Sequence, residues 1–289
     1  MASRRRRRSR PGTRAALSLT ADPASGFSVC EDLVRRNDPN RYFATLFAPA
    51  EKRPFLHALY ALNYELARVA ETVHEPMLGA IRLAWWHETI AGARAGKPRD
   101  HDVARALADT LAKNHLRQEY FERMITARAF DLSKELFADM KALEEYADAT
   151  SGSVMRLAAQ VLGAGKALGG LARRAGIAYG LAGLLRSIPF HAARGKLFLP
   201  ADLLSEADLS PDEVLAGQGG AKLEAVKRKI AERALQRLAT AHKYRIPSVV
   251  QAAFLPASLV PLMLRWRKPE LPLYRRQMAL LGASWRKRV

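Results

Sequence analysis

Two glutamates four residues apart, Glu71 and Glu75, have a type and spacing that could do chemistry. In a continuous helix that spacing puts both carboxylates on one face. Carboxylates so placed repel each other unless a cation compensates, and hard oxygen pairs are what Mg²⁺ takes. The pair is a candidate metal site. The same residues also read as a solvated helix end, stopped by Pro76, with Arg68 pairing to Glu71 three positions on. The local pattern leaves both readings open.

Other local patterns lack a part that their chemistry requires. Gly163-Ala-Gly165-Lys166 resembles a phosphate loop, but Gln160 stands where the first glycine belongs and Ala167 where a metal-binding hydroxyl belongs. His87-Glu88 begins like a zinc-protease helix, yet Ala91 occupies the second histidine position, so Trp85 and Trp86 beside it read as a packing face. Ser151-Gly152-Ser153 has no triad around it. The lone Cys30 can form no internal disulfide and no cysteine-based zinc site.

Helices must position these groups. Apolar residues recur at helical spacing with few β-branched runs, which predicts an all-α chain. The expected helices are about Pro54–Thr72, Met77–Arg94, Val103–Leu111, Glu119–Phe130, Met140–Leu162, Leu168–Ile188, Ala221–Tyr244, Pro247–Trp266 and Leu273–Leu281. Pro54 suits a first helical turn, and Ser210-Pro211-Asp212-Glu213 suits a helix start. No linker or repeat separates two cores, so residues 22–289 are expected to form one domain behind a basic, disordered tail at 1–21. The apolar fraction of 49% and 18 glycines among 289 residues exclude collagen-like, low-complexity and wholly disordered classes. The longest apolar stretch, Val249 to Leu264, is interrupted by Gln251, Pro256, Ser258 and Pro261 and is too short to span a bilayer.

Charge is concentrated at the ends. The first 21 residues carry seven arginines and no acid, and residues 265–289 carry eight basic residues against Glu270, out of a net charge of +19. Such ends favour an anionic membrane surface or nucleic acid. No base-reading module accompanies them, so nucleic acid is the weaker expectation. An Arg-rich, acid-free leader also fits an organelle transit peptide.

A wider context attaches to the acidic pair. The run from Ala58 through Asn63, Glu65, Arg68, Glu71 and Glu75 resembles the first acidic segment of squalene and phytoene synthases, an arginine followed by two aspartates four apart. The segment from Tyr146 to Ser151-Gly152-Ser153-Val154 is similar to that family's tyrosine and A-G-S-V stretch. Ala178 through Arg186, His191, Arg194-Gly195 and Phe198-Leu199-Pro200 aligns without a gap on its second acidic segment. The resemblance covers roughly residues 27–265. It implies an all-α isoprenoid-synthase fold, a helical bundle around a central cavity. It also implies diphosphate binding by Arg68, Mg²⁺ binding by Glu71 and Glu75, and Tyr146 beside the ionising substrate of an active enzyme.

The second segment departs from the family. Where active members place a glutamine, an asparagine and two aspartates, this chain has Gly180, Gly183, Ser187 and His191. Ionising a prenyl diphosphate relies on metal-held charge at the leaving pyrophosphate, and Ser187 and His191 cannot replace two carboxylates as Mg²⁺ ligands. A branch of the family shares these departures. The chain is similar to assembly-factor-like proteins of respiratory complex I in mitochondria and alphaproteobacteria, through Asn63-x-Glu65-Leu66-Ala67, Gly79-x-Ile81-Arg82-x-x-x-Trp86 and Leu185-Arg186-x-x-Pro189-Phe190-His191-x-x-Arg194. That resemblance implies a non-catalytic assembly or lipid-binding factor on the cytoplasmic or matrix side of the inner membrane, with complex I subunits, assembly intermediates or a polyprenyl lipid as partners. Arg82, Arg186, His191 and Arg194 are then expected at a basic, anion-binding end of the cavity, and Val249–Trp266 against the membrane. The alternative is an active Mg²⁺-dependent head-to-head prenyltransferase.

Overall fold

A computed structural model of the chain describes residues 26–73, 75–265 and 271–287. The expected tail at 1–21 lies outside the described residues. Fifteen α-helices are present among the described residues, with no strand beyond an isolated bridge between Phe137 and Pro200. In chain order they are α1 (Phe27–Asn37), α2 (Pro39–Thr45), α3 (Arg53–Ala67), α4 (Val69–Thr72), α5 (Pro76–Arg94), α6 (Asp102–Lys113), α7 (Gln118–Arg128) and α8 (Met140–Ala147). They continue with α9 (Ser153–Val161), α10 (Gly169–Ala192), α11 (Ala201–Glu206), α12 (Pro211–Leu215), α13 (Gly220–Ala241), α14 (Val260–Arg265) and α15 (Leu273–Arg286).

Local chemistry sets many of the helix starts. Pro54 and Pro76 sit in the first turns of α3 and α5, where a missing N–H costs nothing. The Asp38 side chain caps α2 through the Arg41 backbone N–H at 3.1 Å. Ser210 and Glu213 form a reciprocal capping box on α12.

The 24-residue α10 buries residues around most of its circumference, including Leu171, Ala175, Ile177, Tyr179, Leu181 and Leu185. A helix apolar all round is a central one. It packs against α13, α8, α9 and α14. The expected helix over Met140–Leu162 is interrupted by a π-turn at Asp148–Gly152. This turn touches α10 backbone to backbone: a Cβ on Gly176 would lie 2.4 Å from the Gly152 Cα. Only glycine permits that approach.

Ion pairs on two buried carboxylates pin the same region. Glu144 of α8 accepts two hydrogen bonds of 2.6 Å from Arg237 of α13. Asp148 accepts from Arg156 at 2.7 Å and from Arg123 at 2.9 Å.

One expectation fails in this part of the fold. The described part of Val249–Trp266 is not an amphipathic membrane helix. It is two 3₁₀ segments and α14, with Phe254, Leu255, Ala257, Leu259 and Val260 fully buried. Pro256 and Pro261 punctuate the segment, and most of its apolar residues are buried in the core, with Val249 exposed at its start.

Candidate functional site

A cavity of about 700 Å³ opens between the α3–α5 region, the segment around residues 128–134, the π-turn and α10. Gly180, Gly183, Leu184, Ser187 and His191 of α10 border it, followed by Arg194 just past the helix end. Steps of three and four residues keep these positions on one helix face. All four positions that depart from the family's second acidic segment therefore look into the cavity. A Cβ on Gly183 would meet nothing within 4 Å, so the space a longer side chain would occupy is open. The Ser187 hydroxyl donates to the Gly183 carbonyl at 2.9 Å. The His191 ring packs edge-on against Phe198 at 4.7 Å. Burial, with Arg128, Arg194 and Lys196 nearby, pushes its pKa down to about 4 against the pull of Asp131, so the imidazole is neutral.

Glu71 and Glu75 also line the cavity, but not by the expected route. The helix stops at Thr72, Val73 is extended, and Glu75 is the extended residue that precedes α5. The pair belongs to two helices and the chain between them, not to one helix face. Burial raises the Glu71 pKa, opposed by Arg194, Arg68 and Arg128 and reinforced by Asp131.

The most connected polar group in the cavity joins Tyr146, singled out from sequence, to Arg128 and Asp131, which the sequence reading missed. Arg128 donates to the Asp131 carboxylate at 3.0 Å and to the Tyr146 hydroxyl at 2.9 Å, and that hydroxyl donates to Asp131 at 2.7 Å. The Tyr146 phenol is pushed well above its ordinary pKa, chiefly by burial. Lys196 donates to the carbonyls of Phe130, Ser133 and Glu135 at 3.0, 2.6 and 3.2 Å and lies over the Phe130 ring. Deeper in, the buried Arg41 pairs with Asp38 at 2.6 Å and sits over the rings of Tyr60 and Tyr179. The available signals were the short patterns Asp38-x-x-Arg41 and Arg128-x-x-Asp131. Each is a common helix-surface pairing until the fold buries it.

Among the described residues the cavity is lined by five cationic side chains, Arg41, Arg128, Lys134, Arg194 and Lys196, against Glu71, Glu75 and Asp131. Mg²⁺, which the sequence resemblance implies, needs several hard, ionised oxygens. Asp131 is already held by Arg128 and Tyr146, burial disfavours the ionised form of Glu71, and the α10 face supplies no carboxylate. No group of three or more His, Cys, Asp or Glu side chains among the described residues is placed to hold a metal ion. The donor set does not fit the family's metal centre. It presents a positive field to an anion instead.

Of the residues singled out from sequence, the fold brings Glu71, Glu75, Tyr146, His191 and Arg194 to one cavity. Arg68, Arg82 and Arg186 are not among the lining residues. Arg68 pairs with Glu65 at 3.6 Å, not with Glu71, and covers the Tyr64 ring. Arg82 is exposed on α5. Arg186 donates to the Met263 carbonyl at 3.2 Å and lines a neighbouring pocket with Arg36 and Arg276. It lies next to Ser187 in the chain, about 100° around α10 from the cavity face.

The squalene/phytoene synthase profile matches residues 34–265. A mouse (Mus musculus) protein named NADH dehydrogenase (ubiquinone) complex I, assembly factor 6 is 31% identical over 230 residues, 78% of this chain and 69% of its own. The human (Homo sapiens) protein of the same name is 30% identical over the same shares. A dehydrosqualene synthase crystal structure superposes with a TM-score of 0.76 at 19% identity, covering 90% of this chain and 96% of its own. At that identity the superposition shows the shared all-α fold.

Proposed function

This chain belongs to the squalene/phytoene synthase family, and from that premise we propose that it keeps the family's helical cavity without its metal-dependent chemistry and serves as an assembly or lipid-binding factor for respiratory complex I. The observation that carries this reading is the α10 face. Gly180, Gly183, Ser187 and His191 border the cavity and offer no carboxylate, while five cations surround the same space. The names of the mouse and human relatives supply the partner. The positive field suits an anionic or polar lipid head group, with a polyprenyl or quinone-like chain along the apolar helices. A role in building complex I fits a position at the cytoplasmic or matrix face of the inner membrane. No helix among the described residues is long and apolar enough to cross it.

Depleting the protein from its own cells is expected to lower assembled complex I on native gels, with recovery on re-expression. An unchanged level of complex I overturns the reading. A second reading, an active head-to-head prenyltransferase, draws on Glu71, Glu75 and Tyr146 bordering one cavity. Steady release of pyrophosphate from a prenyl diphosphate with Mg²⁺ would establish it in place of the first.

A further inference from the structure

The C-terminal helix α15 carries two apolar faces and uses only one of them in the fold. Its inner face is anchored: Leu280 and Ala283 are buried, and the buried Gln251 amide donates to the carbonyls of Ala283 and Ser284 at 3.1 and 2.9 Å. Those bonds tie the last turn of the helix to the core, beside the Lys287 N–H that reaches the same two carbonyls. Tyr274, Met278, Leu281 and Trp285 follow at steps of four, three and four. They fall within an arc of about 60° on the opposite side. Their exposures of 61, 67, 53 and 90% mark an uncovered stripe running the length of a packed helix.

Charge decides what covers it. Residues 271–287 contain no aspartate or glutamate; Arg275 and Arg286 lie beside the stripe and Lys287 at its end, while Arg276 turns inward over Phe43. A second copy docking through the same face would set these cations against themselves. The chain's own first 21 residues, with seven arginines and no acid, are repelled likewise. An anionic occupant is required, and it must also accept a tryptophan, a methionine and a leucine. A polyanion such as nucleic acid offers phosphates but no apolar interior to this stripe. An anionic bilayer offers both, with Tyr274 and Trp285 at the two ends of the stripe, where amphipathic rings sit at the head-group level.

We propose that the outer face of α15, the Tyr274–Met278–Leu281–Trp285 stripe with its basic flanks, is the surface by which this protein lies on an anionic phospholipid membrane. The inference rests on the peripheral membrane placement proposed above and names the element responsible. It also reverses the expectation that Val249–Trp266 does this work, since Val250–Val260 of that segment is core.

The test is flotation of the full chain with vesicles of phosphatidylcholine alone or mixed with phosphatidylglycerol, at low and raised salt. The wild-type chain is expected to float with the anionic vesicles and to show a blue shift of tryptophan emission. Met278→Glu/Leu281→Glu should partition roughly tenfold more weakly, because it puts charge where apolar area is buried. Trp285→Ser, at a site 90% exposed, guards against misfolding as the cause and should lose most of the blue shift. Wild-type binding that the variants leave unchanged overturns the role of α15 while the membrane placement stands. Absence of wild-type binding to any vesicle overturns both. A wild-type dimer that Met278→Glu/Leu281→Glu converts to monomer assigns the stripe to a second copy instead.

Discussion

The wall of the cavity built from α4, the start of α5 and residues 128–131 keeps three carboxylates, whereas the α10 wall bordering the same space has none and ends in His191 and Arg194. Both walls set polar groups at the cavity, but to different ends. On the first, Asp131 is fixed by Arg128 and Tyr146, and burial moves Glu71 towards its neutral acid. On the second, burial holds His191 as the neutral base. A cavity for a metal-bound diphosphate needs ionised oxygens from both sides; this one sets fixed cations around carboxylates on one side alone.

The comparison can be broken most forcefully at Asp131. Asp131→Ala leaves Arg128 buried without its carboxylate and is expected to cost about 3–5 kcal/mol in urea unfolding, while Arg128→Met/Asp131→Leu should recover most of that loss. Next in size is Gly176→Ala. Its Cβ would lie 2.4 Å from the Gly152 Cα and force α10 off the π-turn. The expected loss is about 2–3 kcal/mol, read from the same unfolding curves.

The two walls should also answer pH with opposite signs. His57 and His191 are both lowered from 6.5 to about 4 by burial. The unfolded chain therefore binds protons first as pH falls, and stability drops between pH 6.5 and 4. His191→Phe should flatten part of that fall in thermal melts across the window. Glu71 is raised above 4.5, so its ionised form is disfavoured in the folded chain at neutral pH and the penalty fades as pH falls through its folded value. Glu71→Gln should accordingly raise the melting temperature at pH 7 and not at low pH. The smallest effect is expected at Gly183, where a Cβ meets open space within the helix. Gly183→Ala should stabilise by about 0.5–1 kcal/mol in urea unfolding.

Much of this was legible from residue spacing. Helical periodicity placed α5 closely, Pro54 marked the start of α3, whose break before α4 was not foreseen, and Ser210-Pro211-Asp212-Glu213 marked the start of α12. The α10 positions were legible through the resemblance to the family's second acidic segment, and the helix repeat of three to four residues explains why they share one face. Val249–Trp266 misled because apolar residues beside isolated polar ones look amphipathic whether they meet lipid or a core. Only the packing of α15 and the 3₁₀ turns shows which. Arg41 over Tyr179 and Arg128 beside Tyr146 were illegible for another reason. Their partners are distant in the chain, and no periodicity carries a contact between separate helices. Arg186 misled through helix rotation. It is one residue from Ser187, yet about 100° around the helix from the cavity face.

Calorimetric titration of the purified protein with a non-hydrolysable farnesyl thiodiphosphate, with and without Mg²⁺, tests the difference between the walls most directly. Binding that is indifferent to Mg²⁺ and weakened by Arg194→Ala is the predicted result, because the cavity's cations face the anion without a metal between them. Binding that appears only with Mg²⁺ would contradict it and return Glu71 and Glu75 to a working metal site.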